Sequence, residues 1–493
     1  MPATETLPTV ETPRAPWGVK GAFGVSGAVS YIVFLSFELF VLFYYSQVLG
    51  LSPVLAGTAL LISTVVDAVV DPVIGTWSDN LRSRFGRRHL FMFGSIVPVM
   101  VFFVAVFAPP RGLEATALFA WMTASTILLK AALSFFESPG AALAAEISPL
   151  KSDRAEMGIL RQVMASLAQI AMVAIAFNIF FKATPQFANG QENAAAYPAF
   201  ALSVAFGLGF VMLVSAAGTW RHVLRFERGL PKPSAKRFVV ADALGAWGDA
   251  LLRMRNFRAV FFGLFIAGLM GSTYRALNLY LGTYVWKLDP AVIRDWQQLN
   301  LVGMLAMALL ARFIVQKIEP KALYLFSIFL LICAYGLPPG LTALGLLPPV
   351  GSVGLQNALF AFNTLAGAAA GLIMICSLIM FAEVTDEYQY VKDVSRTGLI
   401  FALLTFGSKA ASGMGKVIAG WMLQTIDFPS AQNIARLTPE ILQSLAVLVS
   451  LWTLVIGCAA LLMLSTYRLN RARHAEILAG LRARAALHAP ASD

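Results

Sequence analysis

Cysteine and histidine are scarce in this chain, with three and four among 493 residues. Cys333, Cys376 and Cys458 lie far apart in apolar stretches, without the paired spacing of a disulfide framework or a zinc site. His89, His222, His474 and His488 are expected in cytoplasmic loops or the tail, so no imidazole is expected at mid-membrane as a proton relay or metal ligand. Charge is sparse too, at 13% of residues. No glycine-rich loop ends in Lys-Ser or Lys-Thr. The segment GMGKV around Lys416 lacks the terminal hydroxyl and sits in an apolar run, so ATP is not expected as the energy source. No nucleophile with a base and no metal cluster is legible, so neither an enzyme nor a cofactor is expected. The opening MPATETLPTVETPRAP lacks the basic start of a secretion signal and reads as a disordered tail.

What is abundant is apolar surface: 58% of residues are hydrophobic and the mean hydropathy is +0.73, which marks a polytopic membrane protein. Windows of about twenty apolar residues, each long enough to cross the hydrocarbon as a helix, recur from Val25 to Leu464. The expected spans are 25 to 48, 53 to 78, 88 to 109, 116 to 146, 156 to 182, 197 to 219, 258 to 286, 296 to 316, 321 to 343, 352 to 383, 396 to 424 and 442 to 467. The expected fold is an all-α membrane protein with twelve transmembrane helices in two six-helix bundles, since a barrel needs short alternating strands instead. The formal net charge of +11 sits in alternate loops such as SDNLRSRFGRRH and RHVLRFERGLPKPSAKRF, as orientation in a lipid bilayer requires. The partner implied is the bilayer, not nucleic acid, with both termini cytoplasmic. The long connection 220 to 257 divides the bundles 25 to 219 and 258 to 467, with tails 1 to 24 and 468 to 493. It reads as a basic segment followed by a short amphipathic helix.

Charges inside the spans are the most informative residues, because each costs roughly 2.5 to 3.5 kcal/mol unless it finds a partner or a wet cavity. They are Glu38, Asp67, Asp71, Lys130, Glu137, Arg161, Arg275, Lys409 and Lys416. Asp67 and Asp71 are four positions apart, so both carboxylates share one helix face. Two like charges so close repel, and a bound cation satisfies both: Na⁺ through oxygen ligands, or H⁺. Lys409, too deep to reach the interface, is the candidate to bridge to them. Glu137 and Arg161, on adjacent antiparallel helices, and Lys130, two turns from Glu137, form a charged cluster. Glu137 with Arg161 is either an ion pair or a set of acceptors and donors for solute hydroxyls. Lys416 is expected to reach towards the interface, and Arg275 to line an external vestibule or pair locally.

Three stretches in order carry a family resemblance: VVDAVVDPVIGTWSDNLRSRFGRRHLFMFG, ESPGAALAAEISPLKSDRAEMGILRQVMASLAQI from Glu137, and DEYQYVKDVSRTGLIFALLTFGSKAASGMGKVIAGWML from Asp386. They resemble the glycoside, pentoside and hexuronide cation symporters, the melibiose permease family of the major facilitator superfamily. The resemblance covers nearly the whole chain and implies cation-coupled symport by alternating access. It implies a coupling-cation site at Asp67 and Asp71 with Thr405 and Lys409 beside it, and a sugar site with Glu137, where sugar-binding members carry aspartate, and Arg161. It also implies a cytoplasmic gate at Asp79, Arg84, Gly86, Arg87 and Arg88. Two departures stand out: the first-helix aspartate of the melibiose permease falls at Tyr31, with Glu38 two turns on, and Lys130 stands where a small neutral residue is expected. The expected protein is therefore a monomeric, inner-membrane carrier coupling Na⁺ or H⁺ to a sugar, glycoside or related small polar solute. Carriage of amphipathic solutes such as lysolipids, or a sensor without turnover, are the alternatives.

Overall fold

The structure is a computed structural model, which describes residues 14–81, 83, 86–227, 240–394 and 397–487. It is helical, with no strand among the described residues. The first half comprises α1 (Trp17–Ser36), α2 (Pro53–Asn80), α3 (His89–Phe107), α4 (Ala115–Ile147), α5 (Lys151–Ile175) and α6 (Ala196–Glu227). A short α7 (Val240–Arg253) leads into α8 (Arg255–Tyr280), α9 (Pro290–Val315), α10 (Pro320–Ala343), α11 (Val353–Lys392), α12 (Thr397–Thr425) and α13 (Pro439–Ser465), and α14 (Arg471–Leu487) follows. Proline opens α2, α9, α10 and α13, where its missing N–H costs nothing. The Ser352 hydroxyl caps α11 by accepting from the Leu355 amide, and Asp393, at φ +53°, ends that helix.

Ten of these helices are apolar and long enough to cross a membrane, which makes the chain a multi-pass membrane protein. The other two long helices, α9 and α12, carry the polar residues described below and pack inside the same bundle. On α2, Val65, Val69, Val73 and Trp77 recur every fourth residue and are exposed, as a lipid-facing stripe is, so Asp67 turns the other way. The first helix begins at Trp17, ahead of the expected span at 25. Its Lys20 is buried and donates to Asp153 at 2.8 Å and Glu156 at 2.5 Å on α5, so the charge does not end the helix.

Within the first half α1 packs on α5 and α6, α2 on α4, and α3 on α4 and α6. Seven helices later the pattern repeats: α8 packs on α12 and α13, α9 on α11, and α10 on α11 and α13. The halves meet through α2 with α12 and α5 with α9, pairs that a pseudo-two-fold axis exchanges. The repeat extends to local detail, because α1 and α8 both continue into π-helical turns, at Phe37–Val41 and Leu281–Val285. Near those turns the halves are tightly joined. Ser46 and Tyr280 share a hydroxyl hydrogen bond, Gln191 Nε2 donates to Thr283 Oγ1 at 2.8 Å, and Phe43 packs on Tyr280 and Tyr284. Gly420 makes the approach of α12 to α2 possible, since a Cβ there would lie 2.2 Å from the Pro53 carbonyl oxygen.

Candidate functional site

Beyond that seal, α1, α2, α4, α5 and α12 enclose a cavity of about 690 Å³. Asp67 and Lys409 line it from opposite halves. Lys409 Nζ donates to Asp67 Oδ2 at 2.7 Å and to Asp71 Oδ2 at 2.5 Å, so one ammonium bridges both carboxylates. The cluster is open to solvent: the side chains of Asp67, Asp71 and Lys409 are 14%, 33% and 30% exposed. Ser134 Oγ donates to Asp67 Oδ1 at 3.3 Å, and Lys130 Nζ donates to Thr64 Oγ1 at 2.7 Å. Two carboxylates and neighbouring hydroxyls are hard oxygen ligands suited to Na⁺, and the carboxylates can also take H⁺. Thr405 lies one turn before Lys409 but is exposed, outside the cavity lining, with its hydroxyl donating to the Phe401 carbonyl at 3.0 Å.

Glu137, Arg161, Tyr31 and Lys130 form the rest of the charged wall. Among the described residues no ion pair joins Glu137 to Arg161, and Glu137 Oε1 is a buried acceptor without a hydrogen-bond partner. The alternative of donors and acceptors facing the cavity therefore describes them better than a closed pair. Gly27 sets this wall: a Cβ there would lie 2.1 Å from the Arg161 carbonyl oxygen, so only glycine lets α1 bring Tyr31 beside α5.

A second charged cluster crosses the halves nearer the seal. The π-helical turn of α1 carries Glu38, whose side chain is 1% exposed. Arg275 Nε pairs with Glu38 Oε2 at 2.9 Å and Lys416 Nζ with Glu38 Oε1 at 2.5 Å, while Ser412 Oγ donates to Oε1 at 3.3 Å. This corrects two expectations. Lys416 does not reach for the interface, because a buried carboxylate holds it inward, and Arg275 pairs across the halves instead of lining an external vestibule.

Uncharged groups beside this cluster escaped the sequence reading. Asn278, Gln297, Asn300, Tyr335 and Asn363 line a small cavity of about 50 Å³ against Glu38 and Arg275. Gln297 Nε2 donates to Asn278 Oδ1 at 2.5 Å, and Asn363 Nδ2 to the Trp296 carbonyl at 2.6 Å. Amides recurring within three spans of one half were the available signal, but a search for charge passes over them.

In the connection from α2 to α3, Gly86 has φ +90°, and Arg87 and Arg88 both pair with Glu146 at the end of α4, Arg88 Nε at 2.7 Å. The side chain of Asp79 and all of Arg84 lie outside the described residues. His89, expected in a loop, is buried at the start of α3, where its ring shares a hydrogen bond of 3.0 Å with Thr219 Oγ1. His222 and His474 also lie on helices, against the Ile147 carbonyl and Asp386, and His488 lies outside the described residues.

Two pseudo-symmetric six-helix halves around a cavity lined by bridged carboxylates define a transporter of the major facilitator fold. Comparison with solved structures agrees on the fold. The xylose transporter XylE from E. coli, in an inward-open conformation, has a TM-score of 0.54 at 14% identity, covering 88% of this chain and 93% of that one. The nucleoside transporter NupG has a TM-score of 0.56 at 12% identity, covering 90% and 98%. The chain belongs to the MFS/sugar transport protein family, which matches residues 22–471, and to its glycoside, pentoside and hexuronide cation symporters. A glucuronide carrier protein homolog of Escherichia coli (strain K12) is 23% identical over 415 residues, 84% of each chain. The isoprimeverose transporter of Lactiplantibacillus pentosus is 21% identical over 428 residues, 86% of this chain and 83% of that one. These relatives are transporters, not enzymes.

Proposed function

We propose that the chain couples the entry of Na⁺ or H⁺ at Asp67 and Asp71 to the symport of a sugar, glycoside or related small polar solute. The observation that carries this reading is the Lys409 ammonium bridging both aspartates on the wall of a cavity between the halves. A tethered cation already satisfies the pair, so an entering cation competes with or shares that role and alters how α12 is held against α2. Glu137, Arg161 and Tyr31 bind the solute, the carboxylate accepting from hydroxyls and the guanidinium donating. Glu38 and Arg275 join the two halves beside the solute. A relative named for glucuronide and another for isoprimeverose support a sugar-like solute.

The two bundles, 25 to 219 and 258 to 467, rock about this site, with the segment 220 to 257 between them. The tightly joined ends near the π-helical turns form the outer seal, and the basic loops lie on the cytoplasmic side with both termini, in a bacterial inner membrane. Asp79, Arg84, Gly86, Arg87 and Arg88, with Glu146, form the inner gate. A membrane potential of 100 mV contributes about 2.3 kcal/mol per net charge moved. Thermal-shift measurements on purified protein against glycosides and lysolipids, with and without Na⁺ at two pH values, test the reading. A glycoside shift enhanced by Na⁺ or by protons is expected. A shift from lysolipid alone, indifferent to either cation, overturns it, and ligand binding without counterflow identifies a sensor.

A further inference from the structure

We infer that the solute carries a negatively charged group, a carboxylate, sulfate or phosphate, and that Lys130 selects for it; the inference rests on the symporter reading. Charge in the membrane interior has to be balanced by a partner. Among the nine charged residues of the two clusters and the cavity wall, four are carboxylates and five are cations. Lys409 is matched to the two aspartates, Arg275 and Lys416 to Glu38, and Arg161 shares its wall with Glu137. Lys130 has a neutral partner, the Thr64 hydroxyl at 2.7 Å, and stands on the cavity wall near Asp67.

Asp67, Asp71, Lys409 and Lys130 therefore sum to zero before any ion enters. A coupling cation at the aspartates leaves this group with one positive charge in a low-dielectric setting, and a neutral solute does nothing to offset it. An anionic group at Lys130 restores neutrality. Cation and anion then favour each other's binding by the same factor, which is the linkage a symporter needs. Geometry suits a sugar-sized acid: Lys130 precedes Glu137 by seven residues on α4, about 10.5 Å along the helix. The Glu137 carboxylate lines one end of that slot, and the Lys130 ammonium meets the acidic substituent at the other.

The test compares matched ligands on the purified full chain: methyl β-D-glucoside, methyl β-D-glucuronide, and the sulfate and phosphate esters of glucose, with and without coupling cation. Expected is binding of an acidic ligand about tenfold or more tighter than the neutral glucoside, only with the cation present. The acid that binds identifies the anion. Lys130→Met reverses the preference, because the cation-loaded group is then already neutral, and Lys130→Arg keeps it. Equal binding of neutral and acidic ligands, unchanged in Lys130→Met, overturns the inference and leaves the symporter reading intact. Binding of none of them with the cation overturns both. If Lys130→Met does not fold, the comparison on the unmodified protein decides alone.

Discussion

The two ionic clusters that join the halves have opposite composition and opposite surroundings. On α2 and α12, two acids share one lysine in contact with the cavity, whereas on α1, α8 and α12 one acid, itself almost wholly out of solvent, holds two cations, the buried Lys416 and the partly exposed Arg275. The first has carboxylate capacity to spare and access for an ion, as an exchangeable site must. The second has no carboxylate to spare, and the burial of Glu38 makes exchange of its partners expensive. An acid surplus beside water suits coupling, while a buried acid with a cation surplus suits a joint between rigid bodies.

The largest effect is expected from removing the buried acid of the second cluster. Glu38→Gln strands Arg275 and Lys416 without a carboxylate and is expected to cost about 3–5 kcal/mol, read as a large fall in the thermal midpoint in detergent. Adding Lys416→Met recovers part of that loss, because one stranded charge is gone. Gly420→Ala acts on the packing of the halves instead of on charge. Its Cβ meets the Pro53 carbonyl, so the joined ends are expected to lose about 1–3 kcal/mol of their preference for contact. Thiol labelling of a cysteine placed at Gln47, in a chain freed of Cys333, Cys376 and Cys458, should rise accordingly. The smallest effect belongs to Arg471 on α14, whose guanidinium donates to the Val315 carbonyl and to those of Gln316 at 3.0 Å and Ile318 at 2.8 Å. Arg471→Ala should cost about 1 kcal/mol and speed amide exchange at the end of α9 without changing solute affinity.

The twelve long helices of the two halves and their order were legible because apolar length is a one-dimensional property of the chain, whereas α14, in a tail without an apolar run, was not foreseen. The charges in the spans were equally visible, and the bridge from Lys409 to Asp67 and Asp71 matches the expected partnership. Partners set by depth and rotation were harder to read. Glu38 finds Arg275 and Lys416 because a π-helical turn in α1 resets its direction, a shift that 3.6-residue periodicity does not encode. Glu146, the counter-ion of Arg87 and Arg88, sits at the end of a helix where a carboxylate looks unremarkable. The amides around Asn363 carry no charge, so the cost argument that singled out the other residues did not reach them.

The central claim is that the solvent-accessible cluster couples the cation to the solute. It is tested most directly by measuring uphill uptake and equilibrium counterflow side by side in vesicles containing Asp67→Asn. The account predicts that accumulation against a gradient is lost while counterflow persists, since the solute wall is untouched. Accumulation at the level of the unmodified protein would contradict it.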